Sequence, residues 1–544
     1  MTYFDLGTYS RKVTSNKDAQ TWFDRGLVWT FGFNHEEAAV CFKKTLDLDS
    51  NCAMAYWGLA YTIGPNYNHA WADFEVDERR AMIEEAHTSL SSASDLPNLS
   101  ALEKSLIEAL KTKYPTDPET EDFGPFNDAF AEAMRPIYSE NSNDLDVVSV
   151  FAEALMNRTP WELWDTTKGE AAEGTSTDEA RNAIETAFAS DPAAWDHPGL
   201  LHLYIHLMEM SPWPELALSH GDRLVDLVPD SGHLVHMATH IDVLCGDYQN
   251  VIWRNHRAAE VDEKFTAHAG AQNFYTVYRI HNIHFEAYGA MFMGRKTQAL
   301  AAATRLQSVL PTETVAYLPE LFEAFWSMRV HVMVRFGMWQ ELLDEPFPED
   351  RALFCFTTAL LHYGRVVAFA NLGRIEEGEN ERDAFRSAKE NVGDDRFMFN
   401  NEARDVLTIA EAMLEGELAY KSGQVENGFE HLRAAVAASD GRVYDEPWGW
   451  MQPPRHALAA LLMDQNRFDE AEAIYRADLG LDNSLPRPVQ HPRNVWALHG
   501  LDECLAARKE SKERPHIRAL LDQALARSEV PIKASCYCRS TASE

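Results

Sequence analysis

Apolar residues recur along most of the chain at helical spacing, and short turns interrupt them at intervals. In the first such segment Trp22, Leu27 and Trp29 are followed, after a turn, by Ala38 and Phe42 on a second helical face. In each pair of helical segments, the segment that follows the turn is rich in Ala and acidic residues. The strict alternation that is typical of strands is almost absent. The pattern therefore predicts a series of antiparallel helical hairpins.

Seven turns of this kind separate the predicted helices. They lie at 31–33, 245–248, 293–295, 336–339, 372–374, 422–424 and 465–468. A two-helix unit of this length resembles the tetratricopeptide repeat, whose period is about 34 residues. Each hairpin leaves an apolar face that only its neighbours can cover. The resemblance implies an all-α, right-handed α-solenoid, which we expect to run through residues 1–530 as one array, with a flexible tail over 531–544.

Three stretches depart from the hairpin pattern. Segments 90–125 and 158–178 are rich in Pro, Gly and polar residues, which predicts insertion loops. Segment 441–454, GRVYDEPWGWMQPP, predicts a long loop dense in aromatic and proline residues. Its Trp448 and Trp450 are candidates to cover a cavity.

Charge excludes several classes of partner. The 544 residues include 85 acidic and 49 basic side chains, a net charge of −36. No basic stripe is present to neutralise phosphates, so we expect no nucleic-acid partner. The same charge argues against an anionic membrane surface.

Hydropathy and cysteine usage predict a location. No apolar run reaches the roughly 18 residues that span a bilayer, and the N-terminal residues lack the apolar core of a signal peptide. Seven scattered cysteines, an odd number, favour reduced thiols over a disulfide framework. We therefore expect a cytoplasmic protein.

Histidine is distributed very unevenly. The chain has 21 histidines, and eleven of them lie between His197 and His284. We expect this cluster to fall on three consecutive repeats, within residues 195–295. A single His pair at helical spacing arises often by chance, but three consecutive repeats with such pairs are much harder to explain that way.

Two of the pairs are in register with the repeat. His202 and His206 lie four apart on a helix predicted from 198 to 210, and Glu209 follows one turn later. His236 and His240 repeat this spacing 34 residues further on, on a helix predicted from 233 to 244. Axes of neighbouring helices lie about 8–10 Å apart, so inward-facing imidazoles on both helices can converge on shared metal ions.

Other histidines extend the predicted site. His281 and His284 lie three apart on a third helix, predicted from 273 to 293. His197 precedes Pro198, where it either caps the helix or adds a ligand, and His233 lies one turn before His236. The predicted metal ligands are His197, His202, His206, His233, His236, His240, His281 and His284.

The same blocks carry a family resemblance. DHPGLLHLYIHLME, DSGHLVHMATHI and HNIHF resemble blocks that recur in this order in a family of tetratricopeptide-repeat proteins of bacteria and fungi. The likeness covers most of the chain and implies a site formed by the same eight histidines and Glu209. This sequence departs from the family pattern at Met237-Ala238-Thr239, where relatives have Met-Pro-Ser. The difference changes how the helix starts locally, but it removes none of the predicted ligands. The resemblance implies no particular reaction.

The ligand chemistry indicates a class of enzyme. Imidazoles without thiolates suit copper, zinc, iron or nickel rather than magnesium or calcium. We expect a metal-dependent enzyme that acts on a small molecule, with oxidative copper chemistry slightly ahead of zinc-type hydrolysis or lyase chemistry. Glu209 is a ligand, an orienting residue or a proton shuttle. Tyr278 and Arg279, one turn before the third pair, are candidates to orient the substrate.

Two non-enzymatic alternatives stay open. A repeat array of this kind commonly binds a protein partner on its concave face, although such sites usually use Lys, Arg and Asn where this chain has imidazoles. A metal carrier or sensor without turnover is the other alternative. No phosphate-binding Gly-rich loop is found, so we expect no nucleotide cofactor.

Overall fold

The computed structural model describes residues 3–482 and 484–539. Across these residues helices supply nearly all of the regular structure, and the strands form two short hairpins of two residues a side. Each of the seven predicted turns lies between helices, or at the end of one. The predicted fold class, an all-α fold of tetratricopeptide-like helical hairpins, is confirmed.

The chain divides into two compact units. Unit 1 is Met1–Ile241 and unit 2 is Asp242–Glu544. Each unit contains consecutive helical hairpins with their own buried residues. The prediction that residues 1–530 form one continuous array stays a prediction.

Unit 1 contains the first eleven helices and most of the histidine-rich sequence. Its helices are α1 (Lys17–Phe31), α2 (His35–Leu48), α3 (Ala53–Ile63), α4 (Val76–Ser94), α5 (Ala101–Lys111), α6 (Gly124–Glu140), α7 (Leu145–Met156), α8 (Thr177–Ser190), α9 (Pro198–Glu209), α10 (Leu218–Leu224) and α11 (Gly232–His236). Strands β1 (Trp164–Asp165) and β2 (Glu170–Ala171) pair antiparallel. Short 3-10 turns lie at Trp71–Asp73, Pro192–Asp196 and Pro214–Ala217.

Helices α1, α2 and α3 pack closely around one aromatic ring. A Cβ atom added at Gly26 would lie 2.8 Å from the Phe42 ring, and one at Gly58 would lie 2.6 Å from it. The ring is buried. Glycine at both positions therefore lets the two flanking helices approach Phe42.

Three local predictions for unit 1 need correction. The predicted insertion loop 90–125 contains helix α5, which a Ser100–Glu103 capping box begins. The predicted loop 158–178 contains the β1–β2 hairpin. The helix predicted from 233 to 244 is interrupted at Met237, so that α11 is followed by a separate helix α12 (Ala238–Leu244). The interruption is marked by a hydrogen bond of the 3-10 type, in which the His240 N–H donates to the Met237 carbonyl three residues earlier over 3.2 Å.

Unit 2 holds the remaining helices. They are α13 (Tyr248–Ala269), α14 (Thr276–Phe292), α15 (Lys296–Val309), α16 (Thr312–Val315), α17 (Pro319–Phe322), α18 (Met328–Arg335), α19 (Trp339–Asp344), α20 (Cys355–Asn371), α21 (Ile375–Glu390), α22 (Ala403–Lys421), α23 (Val425–Asp440), α24 (Pro454–Asp464), α25 (Phe468–Asp478), α26 (Val495–Ala507) and α27 (Arg514–Leu525). Strands β3 (Phe397–Met398) and β4 (Asn401–Glu402) pair antiparallel. Short 3-10 turns lie at Ala324–Ser327, Arg487–Val489 and Tyr537–Arg539.

Two turns of unit 2 show why glycine ends these helices. Gly294 has φ +69° and Gly337 has φ +63°, backbone conformations that other residues adopt only with strain. A Cβ atom would also lie 2.5 Å from the Ser528 hydroxyl at Gly294 and 2.8 Å from the Tyr537 ring at Gly337. The turns predicted at these glycines are thus fixed by both backbone conformation and close packing.

The C-terminal segment predicted as a flexible tail packs against unit 2 as far as it is described. Cys538 is buried, and the Ser535 hydroxyl donates to the His456 carbonyl over 2.9 Å. Cys536 and Cys538 form a disulfide, so the prediction of reduced thiols is wrong for this pair, while the other five cysteines are free. Residues 540–544 of the predicted tail lie outside the described residues.

Within residues 3–482 and 484–539, no helix combines the length and the apolar character needed to cross a bilayer.

Candidate metal centre

Six ionisable side chains of unit 1 come together on α9, α11 and the start of α12. None is more than 1% exposed. They are His202, His206, Glu209, His233, His236 and His240. The spacing of three or four residues places the members from each helix on one face, so this part of the predicted site is assembled as the periodicity indicates.

Pro198 and His197 set the start of α9. Proline at the first helical position costs no hydrogen bond. The His197 Nδ1 atom accepts the Leu200 N–H over 3.1 Å, and its Nε2 lies 3.3 Å from the Asp146 carboxylate. Both ring nitrogens of His197 are therefore engaged, and His197 caps α9. Its predicted role as a metal ligand stays a prediction.

The first close pair joins α9 to α11. The Nε2 atoms of His202 and His233 lie 3.1 Å apart. The Nδ1 atom of His202 lies 2.6 Å from the Phe31 carbonyl, which can only accept, so Nδ1 carries the proton. The Nε2 atom of neutral His202 therefore presents a lone pair to His233.

The second close pair is His236 and His240, whose Nε2 atoms lie 2.7 Å apart. His240 Nδ1 donates to one Glu209 oxygen over 2.5 Å. The Thr239 hydroxyl lies 3.2 Å from His236 Nδ1 and donates to the His236 carbonyl over 2.8 Å, so its oxygen accepts the Nδ1 proton. With both Nδ1 atoms protonated in this way, the two Nε2 atoms would present lone pairs to each other, whereas a proton on either Nε2 makes this contact an N–H···N hydrogen bond.

Glu209 holds two of the imidazoles at once. Its second oxygen accepts from His206 Nδ1 over 3.0 Å, which leaves His206 Nε2 as the acceptor nitrogen. That Nε2 atom is fully buried and has no hydrogen-bond partner among the described residues. A buried acceptor without a partner costs stability, and a bound cation would satisfy it.

The spacing of the ring nitrogens suits a metal ion. Nitrogen ligands about 2.0–2.1 Å from a tetrahedral ion lie roughly 3.3 Å from one another. The His202–His233 separation of 3.1 Å is close to this value. The His236–His240 separation of 2.7 Å is shorter, so these two rings must move apart to bind one tetrahedral ion. Within unit 1, two groups of three residues have potential ligand atoms within 4.8 Å of one another: His202 with His206 and His233, and His206 with Glu209 and His240. The residues therefore fit a transition metal, with Nε2 atoms as ligands and Nδ1 atoms held by their hydrogen bonds.

Burial favours the neutral imidazoles that metals require. It lowers the pKa of His202 to about 3 and lowers the pKa of His206 well below its ordinary value, with smaller effects from neighbouring imidazoles. Neutral imidazole is the form that binds a metal ion. The cluster is thus ready to bind an ion without releasing protons from these two rings.

Aromatic rings enclose His206. The rings of Phe33, Tyr67 and Trp161 lie 5.8, 5.1 and 5.8 Å from its centroid. Phe33 and Trp161 both have positive φ, +53° and +62°, which is uncommon for bulky residues. Such strained positions cluster at functional sites. These rings shield the cluster from water.

The remaining predicted residues lie on α14 of unit 2. His281 packs against Phe285 and Phe399, and His284 against Phe325 and Phe399. His284 is fully buried, with no hydrogen-bond partner on either ring nitrogen among the described residues. Their predicted metal-binding role stays a prediction.

The two candidate substrate residues also lie on α14. Tyr278 is buried against Phe274 and Tyr275. Arg279 donates to the Thr266 hydroxyl over 3.2 Å and lies 3.6 Å from Glu263. Their predicted role stays a prediction.

A further group of potential ligands lies elsewhere in unit 2. Glu417, Cys536 and Cys538 each offer one donor atom within 4.8 Å of the others. The two sulfurs are joined in the disulfide, and disulfide sulfurs are not the thiolates that bind metals. The group is therefore not a metal centre in this oxidation state.

Comparisons with known proteins add little to the site. No family model matches the chain, and no curated protein matches it. Three similar solved structures are a monomeric IFIT1 mutant with m7Gppp-AAAA (13% identity, 94% of this chain and 100% of that chain, TM-score 0.33), the Cut9–Hcn1 hetero-tetramer of APC/C (11%, 94% and 96%, 0.26) and Naa15/Naa10 bound to HypK-THB (11%, 94% and 72%, 0.21). Identities and TM-scores are too low to support an argument about ligands.

Proposed function

We propose that the chain is a metal-dependent enzyme whose centre lies in unit 1. The proposed ligands are His202, His206, His233, His236 and His240. One observation supports this most strongly: the Nε2 atoms of His236 and His240 lie 2.7 Å apart, while the Nδ1 atom of each ring is hydrogen-bonded to Thr239 or to Glu209. With both protons on Nδ1, the two Nε2 lone pairs repel unless a metal ion binds them.

Glu209 is a positioning residue in this proposal. Its two oxygens bind the Nδ1 protons of His206 and His240, which fixes the tautomer and the orientation of both rings. The Phe31 carbonyl does the same for His202, and the Thr239 hydroxyl for His236. A carboxylate used in this way also raises the basicity of the nitrogens that bind the ion.

The donor set favours copper. All five proposed ligands are imidazoles, with no thiolate in the cluster and a single carboxylate. Carboxylate-bridged di-iron sites use several Glu ligands, and magnesium or calcium requires oxygen ligands. When bound, copper would supply one-electron chemistry with oxygen. We therefore favour oxidation of a small molecule, with zinc-type hydrolysis or lyase chemistry as the alternative.

The burial of the cluster supports a second candidate function. All six side chains are at most 1% exposed, which is typical of an ion held for structure or transport. A metal carrier, or a scaffold stabilised by its metal, would bind the same ion without turnover. An open coordination position on the bound metal would distinguish the enzyme from the carrier and from the scaffold.

Elemental analysis of the untagged full-length protein, together with its visible and electron paramagnetic resonance spectra, tests the proposal. Copper or iron in stoichiometric amount, with spectra that change when azide is added, would support an open site and oxygen-dependent turnover. Stoichiometric zinc would favour the hydrolase or lyase. Protein without metal after supplementation with copper and zinc would refute the proposal.

A further inference from the structure

A buried carboxylate of unit 2 lies beside the Cys536–Cys538 disulfide. Glu417 of α22 is 1% exposed, and one of its oxygens lies within 4.8 Å of a sulfur atom from each cysteine. Cys538 is fully buried, whereas Cys536 is half-buried. The arrangement therefore places a negative charge, shielded from water, next to two sulfurs whose chemistry depends on their oxidation state.

The Glu417 carboxylate has little compensation for its burial. The Asn371 side-chain amide donates to one oxygen over 2.9 Å. Among the described residues Glu417 forms no ion pair, and Lys421, one turn later on α22, attracts its charge at longer range. Burial raises the pKa of Glu417 to about 7. A disulfide cannot supply the missing donors, because its sulfurs carry no proton. A cation bound beside Glu417 would offset the cost of burying this charge.

Two further buried polar atoms near Glu417 have no hydrogen-bond partner among the described residues. They are Asn371 Oδ1 and the Tyr363 hydroxyl, both on α20, and the two residues are 6% and 0% exposed. Burial raises the pKa of Tyr363 well above its usual value, and the nearby charge of Glu417 adds to this effect. Buried polar atoms are nearly always paired, so unpaired atoms around one carboxylate point to a bound group with its own water.

Contacts on both sides of the cysteines hold their backbone in place without the disulfide. The Ser535 hydroxyl donates to the His456 carbonyl over 2.9 Å, and Arg539 forms a two-pronged ion pair with Glu503 at 2.6 and 2.8 Å. The Cys538 N–H donates to Cys536 Sγ over 3.1 Å, a contact that would stabilise a thiolate at this sulfur. We therefore expect both sulfurs to stay beside Glu417 when the bond between them is broken.

Reduction converts the disulfide into two potential ligands. Because Cys536 is half-buried, the thiolate of a dithiol reductant can attack its sulfur. The two thiols of the reductant become a disulfide, and their two electrons and two protons turn the Cys536–Cys538 bond into two thiols. A metal ion that binds both sulfurs then releases the two thiol protons to water.

We propose that the reduced chain binds a zinc ion through the Sγ atoms of Cys536 and Cys538 and one oxygen of Glu417, with water as the fourth ligand. Ligands of a tetrahedral zinc ion with this donor set lie roughly 3.6–3.8 Å apart, within the 4.8 Å that already separates the carboxylate oxygen from the sulfurs. Asn371 orients the carboxylate. The oxygen ligand favours zinc over copper(I), which prefers sulfur ligands alone. This site does not rest on the proposed function.

Cadmium titration of the untagged full-length chain, in its oxidised and its reduced state, tests the proposal. Cadmium replaces zinc at thiolate sites, and cadmium–thiolate bonds absorb in the ultraviolet, whereas imidazole ligands of the histidine cluster give no such band. A phosphine, which takes its oxygen from water as the disulfide becomes two thiols, reduces the protein and is removed without air.

The two oxidation states are each other's control, since both contain the five free cysteines. We expect one equivalent of cadmium to produce the thiolate band in the reduced protein and not in the oxidised protein, and zinc to abolish the band by competition. A reduced, folded protein without the band would overturn the proposal, and so would an equal band in the oxidised protein.

A cysteine substitution assigns the band to this pair. We expect Cys538→Ser to weaken cadmium binding about tenfold or more under reducing conditions, because one of the two thiolates is lost. Cys355→Ser removes another buried thiol of unit 2 and is the matched control. The full band at unchanged affinity in Cys538→Ser would overturn the assignment.

Glu417→Gln tests the carboxylate ligand while both thiolates are kept. We expect the cadmium affinity of the reduced protein to fall about tenfold or more, measured as loss of the thiolate band to a chelator of known affinity. Glu430→Gln, at an exposed position of α23, is the matched control. Circular dichroism checks that each protein is folded, and the comparison of the two oxidation states needs no substitution. Unchanged affinity in Glu417→Gln would overturn the role of this carboxylate.

Discussion

The Nε2 atoms of His236 and His240 lie 2.7 Å apart, and the Nδ1 atom of each ring is already hydrogen-bonded, to Thr239 and to Glu209. When both imidazoles carry their proton on Nδ1, their Nε2 lone pairs face one another. A metal ion between them removes the repulsion and uses both nitrogens as ligands.

Replacing the pair should remove metal. We expect the double variant His236→Ala/His240→Ala to lose at least one equivalent of the metal that the native protein carries, because both Nε2 ligands are absent. Inductively coupled plasma mass spectrometry of the untagged proteins measures this. His87→Ala, whose ring lies outside the cluster and contacts the Pro115 carbonyl, is the control. Full metal stoichiometry in the double variant would be incompatible with the account.

Neutralising Glu209 should weaken metal binding without removing a ligand. Glutamine has the same shape, but its amide nitrogen cannot accept the Nδ1 proton of His206 or of His240, so one ring loses its fixed tautomer. We expect the affinity of Glu209→Gln for the metal to fall about 10–100-fold. Competition with a chelator of known affinity measures it. Glu173→Gln, exposed elsewhere in unit 1, should match the native protein.

Crowding the start of α9 should destabilise unit 1. A Cβ atom at Gly199 would lie 2.6 Å from the Ser149 hydroxyl and 2.7 Å from the Phe31 ring. We expect Gly199→Ala to lower the free energy of unfolding by about 1–3 kcal/mol. Urea denaturation measures this, with Gly124→Ala, whose nearest neighbour lies at 3.3 Å, as the control. Equal stability of the two variants would contradict the packing described at Gly199.

His331 in unit 2 should make stability depend on pH. It is fully buried, neither ring nitrogen has a hydrogen-bond partner among the described residues, and burial lowers its pKa to about 3. The unfolded chain, with a pKa near 6.5, binds more protons between these values, so stability falls as pH drops through that range.

Removing the His331 imidazole should make the free energy of unfolding depend less on pH in the acid range. We expect His331→Phe to lose less stability than the native protein between pH 6.5 and 5, by about 2 kcal/mol. Denaturation at several pH values measures the two slopes. Parallel curves would show that His331 takes no part in the acid sensitivity.

Local spacing was enough to predict part of the site. His202, His206 and Glu209 are three or four residues apart, so a helix over this segment places them on one face whatever it packs against. The repeat of 34 residues likewise related His236 and His240 to the first pair. These inferences depend only on helical geometry.

Local sequence patterns could not predict the residues that orient the imidazole rings, because those residues are distant along the chain. The Phe31 carbonyl is 171 residues from His202, and the aromatic ring of Phe33 meets His206 only because α1 and α9 pack together. His233, expected as a neighbour of His236 on the same helix, also has its Nε2 atom 3.1 Å from His202 Nε2 on α9. The interruption of the helix at Met237 also has no strong local signal, since neither Gly nor Pro is present.

The Asp478–His491 contact in unit 2 was missed for a related reason. Twelve residues separate them along the chain, a spacing that no helical periodicity relates. Trp448 and Trp450 were expected to cover the histidine-lined cavity, but the cavities of unit 2 that they line include no histidine of the cluster. Sequence composition thus pointed to the loop but not to the imidazole opposite it.

Anomalous diffraction from crystals of the untagged protein, recorded on both sides of the metal absorption edge, tests the central claim most directly. The account predicts a peak in unit 1 within about 2.0–2.1 Å of His236 Nε2 and His240 Nε2, with Glu209 still bound to the Nδ1 atoms. The absence of a peak at this position in metal-supplemented crystals, with the two nitrogens sharing a proton instead, would contradict it.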